Sequence, residues 1–331
     1  MVARSLLIFA IHYALLILLI GTSIFMANPL LKAFAGLFTG LVIGQLFVIG
    51  HDACHGSLCA NRRMNQVIGT LAFLPTLTPF STWAVGHNQV HHVYTNLKSR
   101  DYVWVPYSKA EYDALPAWRR VMERLYRTPF GHGLNYFVEI WWTRLFFPRR
   151  ANIVRRSRVH LLDSLLVTVA ACGVAAIVTT SAYMLGQNVI LEIVCTMVVP
   201  FIEFNIIIGF LIFQHHTSPD IRWYADEAQW KTTQAQIDAV QHIVFPGILN
   251  LLFQNIMEHH AHHLDPSLSL HQLRPAQAAL EASLGPGIRV VHWTPKRFAE
   301  TARVCKLYDY GTHRWCDFDG NYTTKPVPAA L

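Results

Sequence analysis

Four long apolar runs dominate the pattern of hydrophobic and polar positions, at about residues 6–26, 29–50, 160–184 and 188–213. Each approaches the roughly 20 residues that a bilayer-spanning helix needs. They come as two pairs, each joined by a short uncharged stretch near 27–29 and 186–188. The pattern predicts an all-α integral membrane fold of four transmembrane helices in two hairpins. It also predicts one domain over 1–331, with the polar segments 51–159 and 214–331 forming a helical cap on one face. The first run has only Arg4 ahead of it and is followed at once by a second span. A signal peptide would show a shorter apolar core and a small-residue cleavage site, so this run reads as a retained helix.

Shorter apolar stretches complete the pattern. Residues 67–86 are apolar but interrupted by Pro75 and Pro79. A full span here would throw the histidines at 87–92 across the bilayer from those at 51–55, so a shallow interfacial or re-entrant segment is expected. Residues 107–158 are aromatic and arginine-rich, which predicts membrane-hugging helix with Trp141 and Trp142 at headgroup level. Residues 220–242 are polar and read as helical. The run IVFPGILNLLFQNI is too short to span and reads as an amphipathic or buried helix. Beyond residue 265 the expectation is a helix over about 275–284, then turns and an unstructured PVPAAL end.

Composition agrees with a membrane protein: 53% of residues are hydrophobic and only 14% charged, against roughly 25% charged in soluble domains. The net charge of +7 comes from where the arginines sit. Arg62, Arg63, Arg119, Arg120, Arg149, Arg150, Arg155, Arg156 and Arg158 all fall on the cap side, and Lys32 is the base nearest the short loops. The positive-inside rule then places both termini and the cap in the cytoplasm. A basic face beside anionic lipid accounts for the charge without nucleic acid. The six cysteines (54, 59, 172, 195, 305 and 316) form no CxxC pair and read as reduced structural thiols. Of two carboxylates in the fourth span, Glu192 lies near enough to the outer end to reach water. Glu203 is deeper and a candidate for a polar cavity.

The chemistry is in the histidines. His51 and His55 stand in HDACH, His87, His91 and His92 in HNQVHH, and His259, His262 and His263 in EHHAHH. On a helix, spacings of i, i+3 and i+4 put side chains on one face. Paired histidines at one helix end have a plain reading as caps of terminal carbonyls; three clusters on one membrane face do not. Imidazole suits zinc, copper, iron and nickel. Eight rings exceed one metal and fit two, with His215 or His216 as a ninth ligand. An all-imidazole ligand set without cysteine argues against a structural zinc site. His12, His132, His160, His271, His292 and His313 are isolated and read as structural, His260 points off the shared face, and His242 is left open.

HDACHGS, HNQVHH with its continuation TN…D…W.P, and EHHAHH resemble the three histidine boxes of the membrane fatty acid desaturases. The likeness is strongest to the omega-6/omega-3 acyl-lipid branch and its bacterial members, and runs from the second span to about His271. It implies a cytoplasmic centre of two iron ions (Fe2+/Fe3+) in a multi-pass protein of the bacterial inner membrane. With O2 and two electrons, such a centre introduces a double bond into an acyl chain. The implied ligands are His51, His55, His87, His91, His92, His259, His262 and His263. His215 in QHHTSP joins them, with His216 as the alternative because that stretch is one residue longer than the family's. Asp52, Asp101 and Asp265 are candidates to orient ligand rings.

The implied substrate is a lipid or acyl thioester whose tail enters an apolar tunnel from the bilayer. No haem-binding HPGG segment occurs, so the electron donor is a separate protein such as ferredoxin, or cytochrome b5 with its reductase. The arginine-rich face suits an acidic carrier, and headgroup attraction explains it equally well. Two rivals stand beside this reading. A di-iron hydroxylase or carotenoid ketolase shares the HDAxHGS-like first box and would leave oxygen in the product. A metal transporter should carry polar ligands inside its spans, where only His12 lies.

Overall fold

The structure, a computed structural model, describes residues 2–148, 157–233 and 235–327; Arg149, Arg150, Arg155, Arg156 and the last residues of PVPAAL lie outside the described residues. The chain is mostly helical. Among the described residues, four helices are long and apolar enough to cross a membrane: Ala3–Phe25, Pro29–His55, Arg158–Met184 and Val189–His216. The second therefore runs on through the first histidine box, and the fourth through His215 and His216. Both hairpins turn on an asparagine. Asn28 caps the second helix by accepting from the amides of Leu30 and Leu31, with Pro29 in the first turn, where no amide is missed. Asn188 likewise accepts from Leu191 at 3.0 Å. The second helix stops at Gly56, whose φ of +75° is the left-handed ending that glycine adopts without penalty.

By its contacts the chain divides into two compact units, Met1–Gly86 with Tyr136–Ile208, and His87–Asn135 with Gly209–Leu331. The first holds the four long helices as far as Ile208, together with the helix Arg62–Phe73. The segment at 67–86 is not one continuous helix. It breaks at a 3-10 turn, Leu74–Thr76, and resumes at Phe80–Ala84, because Pro75 and Pro79 each lack the amide that would continue it. Phe47 centres an aromatic core, with ring centroids 4.7 Å from Trp83, 5.1 Å from Phe73 and 5.4 Å from Phe204. Gly50 is required here: a Cβ on it would meet Phe73 ring atoms at 2.3 Å.

Two expectations are corrected in this unit. Glu192 does not reach water; it is fully buried and paired with Lys32, itself 2% exposed. Lys32 Nζ also donates to Ser23 O at 2.8 Å and Gln187 Oε1 at 2.6 Å. The two hairpin ends meet there, and each charge would be costly alone in an apolar surrounding. Trp141 is buried rather than interfacial, and its indole donates to Leu77 O at 2.8 Å; Trp142 is exposed.

The second unit is built of short helices and two small two-stranded pairings. Strand His242–Val244 runs parallel to Val290–His292, with His242 opposite Val290. Leu307–Asp309 pairs antiparallel with Arg314–Cys316. Residues 220–242 are helical only over Glu227–Lys231 and Ala235–Asp238, since Tyr224 instead bridges to Leu97 as extended chain. In IVFPGILNLLFQNI the first residues join a strand and only Gly247–Leu252 is helical. Pro246 separates the two, and Gln254 and Asn255 turn left-handed. The later helix starts at Leu270, five residues before the expected boundary, behind a Ser269–Gln272 capping box. The tail is folded as well: Trp223, Tyr308 and Trp315 form a fully buried cluster.

Candidate metal centre

Box one closes the second long helix of the first unit. His51 and His55, four residues apart, have ring centroids 4.7 Å apart. The buried Asp52 places Oδ1 4.0 Å from His51 Nδ1, beyond hydrogen-bond length.

Boxes two and three belong to the second unit, and each is divided between two clusters. Box two is carried by a π-helical turn, Val85–His91, in which His92 N donates to His87 O at 3.0 Å, an i to i+5 bond. That wider turn, common at functional sites, places His87 and His92 on one side and turns His91 away. Box three is a six-residue α-helix, His259–Leu264, on which His259 and His263 share a face and His262 lies beside it. In the first cluster His92 Nε2 is 3.0 Å from His87 Nε2 and 3.1 Å from His262 Nε2. In the second, His216 Nε2 is 3.1 Å from both His91 Nε2 and His259 Nε2, and His263 Nε2 is 3.0 Å from His259 Nε2.

His216 thus stands inside the second cluster. His215, favoured from the sequence, stacks on His259 with centroids 3.6 Å apart, and its Nε2 lies 3.0 Å from Met257 Sδ. His91, His216 and His263, and likewise His215, His216 and His259, are groups able to hold a metal.

The tautomers test whether a metal fits. His91 Nδ1 faces both oxygens of Asp101 at 3.1 and 3.2 Å, and His216 Nδ1 donates to Ala239 O at 3.3 Å. His263 Nδ1 faces Thr95 Oγ1 at 3.5 Å, a hydroxyl whose own proton goes to His91 O. A proton on Nδ1 satisfies these acceptors and leaves Nε2 of His91 and of His216 bare, 3.1 Å apart. Such an arrangement is repulsive without a shared cation. Two donors at right angles on one ion, each about 2.1 Å away, stand about 3.0 Å apart. The donor set fits a metal that prefers imidazole.

Electrostatics favour the neutral form for two of these rings. Burial, and then the neighbouring imidazoles, hold His259 and His263 well below the usual histidine range. His260 is buried outside both clusters, and burial followed by the nearby His242 lowers it to about 4.

Of the three carboxylates expected behind ligand rings, Asp101 faces the His91 ring with both oxygens. It is 5% exposed and also accepts from the amides of Asn96, Tyr102 and Val103. Asp265 is corrected: it is exposed and accepts from Ser267 N and Oγ at 3.0 and 2.5 Å, because it ends the box-three helix and serves the following turn. One arrangement was not read from the sequence. His242, left open there, places Nε2 2.7 Å from Glu258 Oε2 and Nδ1 2.5 Å from Glu281 Oε1. Its partners lie 16 and 39 residues away, so no spacing rule reveals them. His12, His160 and His313 pair with Ile8 O, Ser81 Oγ and Gln229 Nε2, outside the groups able to hold a metal.

Within the first unit, Tyr13, Ile17, Ile43, Leu77, Val174 and Phe201 help line an apolar cavity of about 300 Å³. Glu203 does not line it; its side chain lies against Gly40, where an added Cβ would meet Glu203 Oε2 at 2.9 Å.

Residues 27–295 match the model of the fatty acid desaturase family. The chain is 28% identical over 306 residues to an omega-6 fatty acid desaturase, chloroplastic, of Glycine max, covering 92% of this chain and 68% of the relative. It is 30% identical over 312 residues to the protein of that name from Arabidopsis thaliana, covering 92% and 65%. To the sn-1 oleoyl-lipid 12-desaturase of a Synechocystis strain it is 28% identical over 283 residues, covering 82% and 75%. The chain thus spans about two thirds of the length of these chloroplastic relatives.

Proposed function

The chain belongs to the fatty acid desaturase family and is a desaturase by that membership, and we propose that it uses O2 to desaturate the acyl chain of a membrane lipid at a di-iron centre. The observation that carries this reading is the convergence of buried imidazoles whose Nε2 atoms lie about 3 Å apart. The ligands are His87, His92 and His262 on one side and His91, His216, His259 and His263 on the other, with His215 beside the second set. His51 and His55 complete the ligand set, by the pattern of the three boxes.

The reaction balances as –CH2–CH2– with O2, two electrons and two protons giving –CH=CH– and two waters. Iron, when bound, supplies the oxidising power that an unactivated C–H bond demands and that protein acids and bases lack. The chain's own part is to hold and orient. Asp101 keeps the His91 proton on Nδ1, Ala239 O does the same for His216, and burial keeps water from the ring nitrogens. The apolar tail is accommodated by apolar lining such as that of the 300 Å³ cavity. The acyl carrier is a glycerolipid, supported by relatives named for oleoyl-lipid. The electrons come from a separate carrier, ferredoxin or cytochrome b5 with its reductase, and both termini and the site face the cytoplasm.

The test is expression in a host that makes oleate, followed by fatty-acid analysis. A new diene that disappears with His262→Ala is expected. A hydroxy or keto product would replace this reading with the hydroxylase or ketolase one.

A further inference from the structure

Box three carries three ligands on a helix of six residues, His259–Leu264, too short to be stable by itself. Its first residue, Glu258, occupies the capping position yet makes no side-chain bond to the helix amides. The carboxylate is turned sideways: Oε2 meets His242 Nε2 at 2.7 Å and Oε1 accepts from Asn250 Nδ2 at 3.1 Å. The other face of His242 meets Glu281 Oε1 at 2.5 Å. Glu281 Oε1 also accepts from Gln277 Nε2 at 2.9 Å, and Gln277 Oε1 accepts the amide of Ala261 at 2.9 Å. That amide is among the first four of the box-three helix, which have no partner within it. The contacts close a ring: strand His242–Val244, the start of the box-three helix, the helix Leu270–Leu284, and back to His242.

We propose that His242 is a positioning residue which, bridging Glu258 and Glu281, locks the box-three helix in the register that aims His259, His262 and His263 at metal. The proposal rests on the reading of those three as ligands. Both ring nitrogens of His242 face carboxylates, which favours the doubly protonated ring. Burial opposes that charge, but the hydrogen bonds and charges of Glu258 and Glu281 outweigh it and hold His242 above the usual histidine range. A ring of charged hydrogen bonds tolerates little play. Without it the ligand set must be ordered by the metal itself, at the expense of affinity. The Glu that opens EHHAHH thereby acquires a role distinct from its neighbours: it holds the ligand helix rather than the metal.

The test is Co(II) titration of the full chain, purified in detergent and read by the visible absorption of bound cobalt. His242→Ala and Glu281→Gln are expected to keep wild-type helix content, to bind cobalt at least about tenfold more weakly, and to alter the absorption bands. His242→Gln, which keeps one N–H donor, should recover part of the affinity. Folded His242→Ala and Glu281→Gln with wild-type affinity and bands would overturn the proposal, reducing the ring to a packing contact. If His242→Ala does not fold, Glu281→Gln decides alone by the same two readouts. His262→Ala separates the two levels: if it binds cobalt as tightly as wild type, the ligand reading itself fails and the proposal with it.

Discussion

Asp101 shows how one side chain sets the chemistry of another. Three backbone amides and the His91 ring converge on it, so its charge is fully satisfied while buried and its hold on His91 is firm. Asp101→Asn keeps the shape but weakens that acceptor, and metal affinity is expected to fall by about 10- to 100-fold, measured by competition with a chelator. His132 is the opposite kind of residue, a histidine away from any metal. It is stacked on Phe213 with centroids 4.0 Å apart and 2% exposed. Burial, then the charges of Arg127 and Lys306, lowers it to about 3. Because the folded value lies below the unfolded one, the unfolded chain takes up the proton first. The stability tied to neutral His132 is complete above about pH 6.5 and is lost as pH falls, by about 2 kcal/mol at pH 5. Thermal unfolding of metal-free protein should show this acid limb in wild type and a flatter one in His132→Phe; parallel curves would refute it.

Among the elements, the π turn of box two and the short helix of box three decide the site. On a regular α-helix His87 and His91 would share a face; the i to i+5 bond instead pairs His87 with His92 and frees His91 for the second cluster. Spacing rules written for 3.6 residues per turn cannot anticipate that exchange. Box three is α-helical as the i, i+3, i+4 spacing implies, yet its rings divide, His259 meeting His263 and His262 meeting His92. At the opposite end of the long helices the Lys32–Glu192 pair joins the two hairpins. Lys32→Met leaves a buried carboxylate unpaired and is expected to cost about 3–5 kcal/mol, while Lys32→Met with Glu192→Met should regain most of it. Thermal unfolding of both variants in detergent checks this, and equal loss in the double variant would count against the pair.

For the molecule as a whole, the reading places the histidine-rich unit and both termini in the cytoplasm. A cysteine introduced at the exposed Ser283, in a background without other cysteines, should react with a membrane-impermeant maleimide in inside-out vesicles only. Labelling from the outer side would reverse the topology. By contacts the chain divides into two compact units. No composition shift marks their boundaries, because these fall within continuous helices such as Val199–His216, and a helix passing between units carries no linker signature.

The apolar runs and the three boxes were determined by the sequence alone. Span length, hairpin turns at Asn28 and Asn188, and a surplus of imidazoles are local properties, expressed in residues close along the chain. The tertiary structure decided which imidazole joins which cluster, why His216 stands in the second, and that Asp101 rather than Asp265 faces the His91 ring. It alone brought His242 between Glu258 and Glu281. These outcomes depend on groups from ten to more than a hundred residues apart, as with His91 and His216, and such distances are set by packing rather than by periodicity.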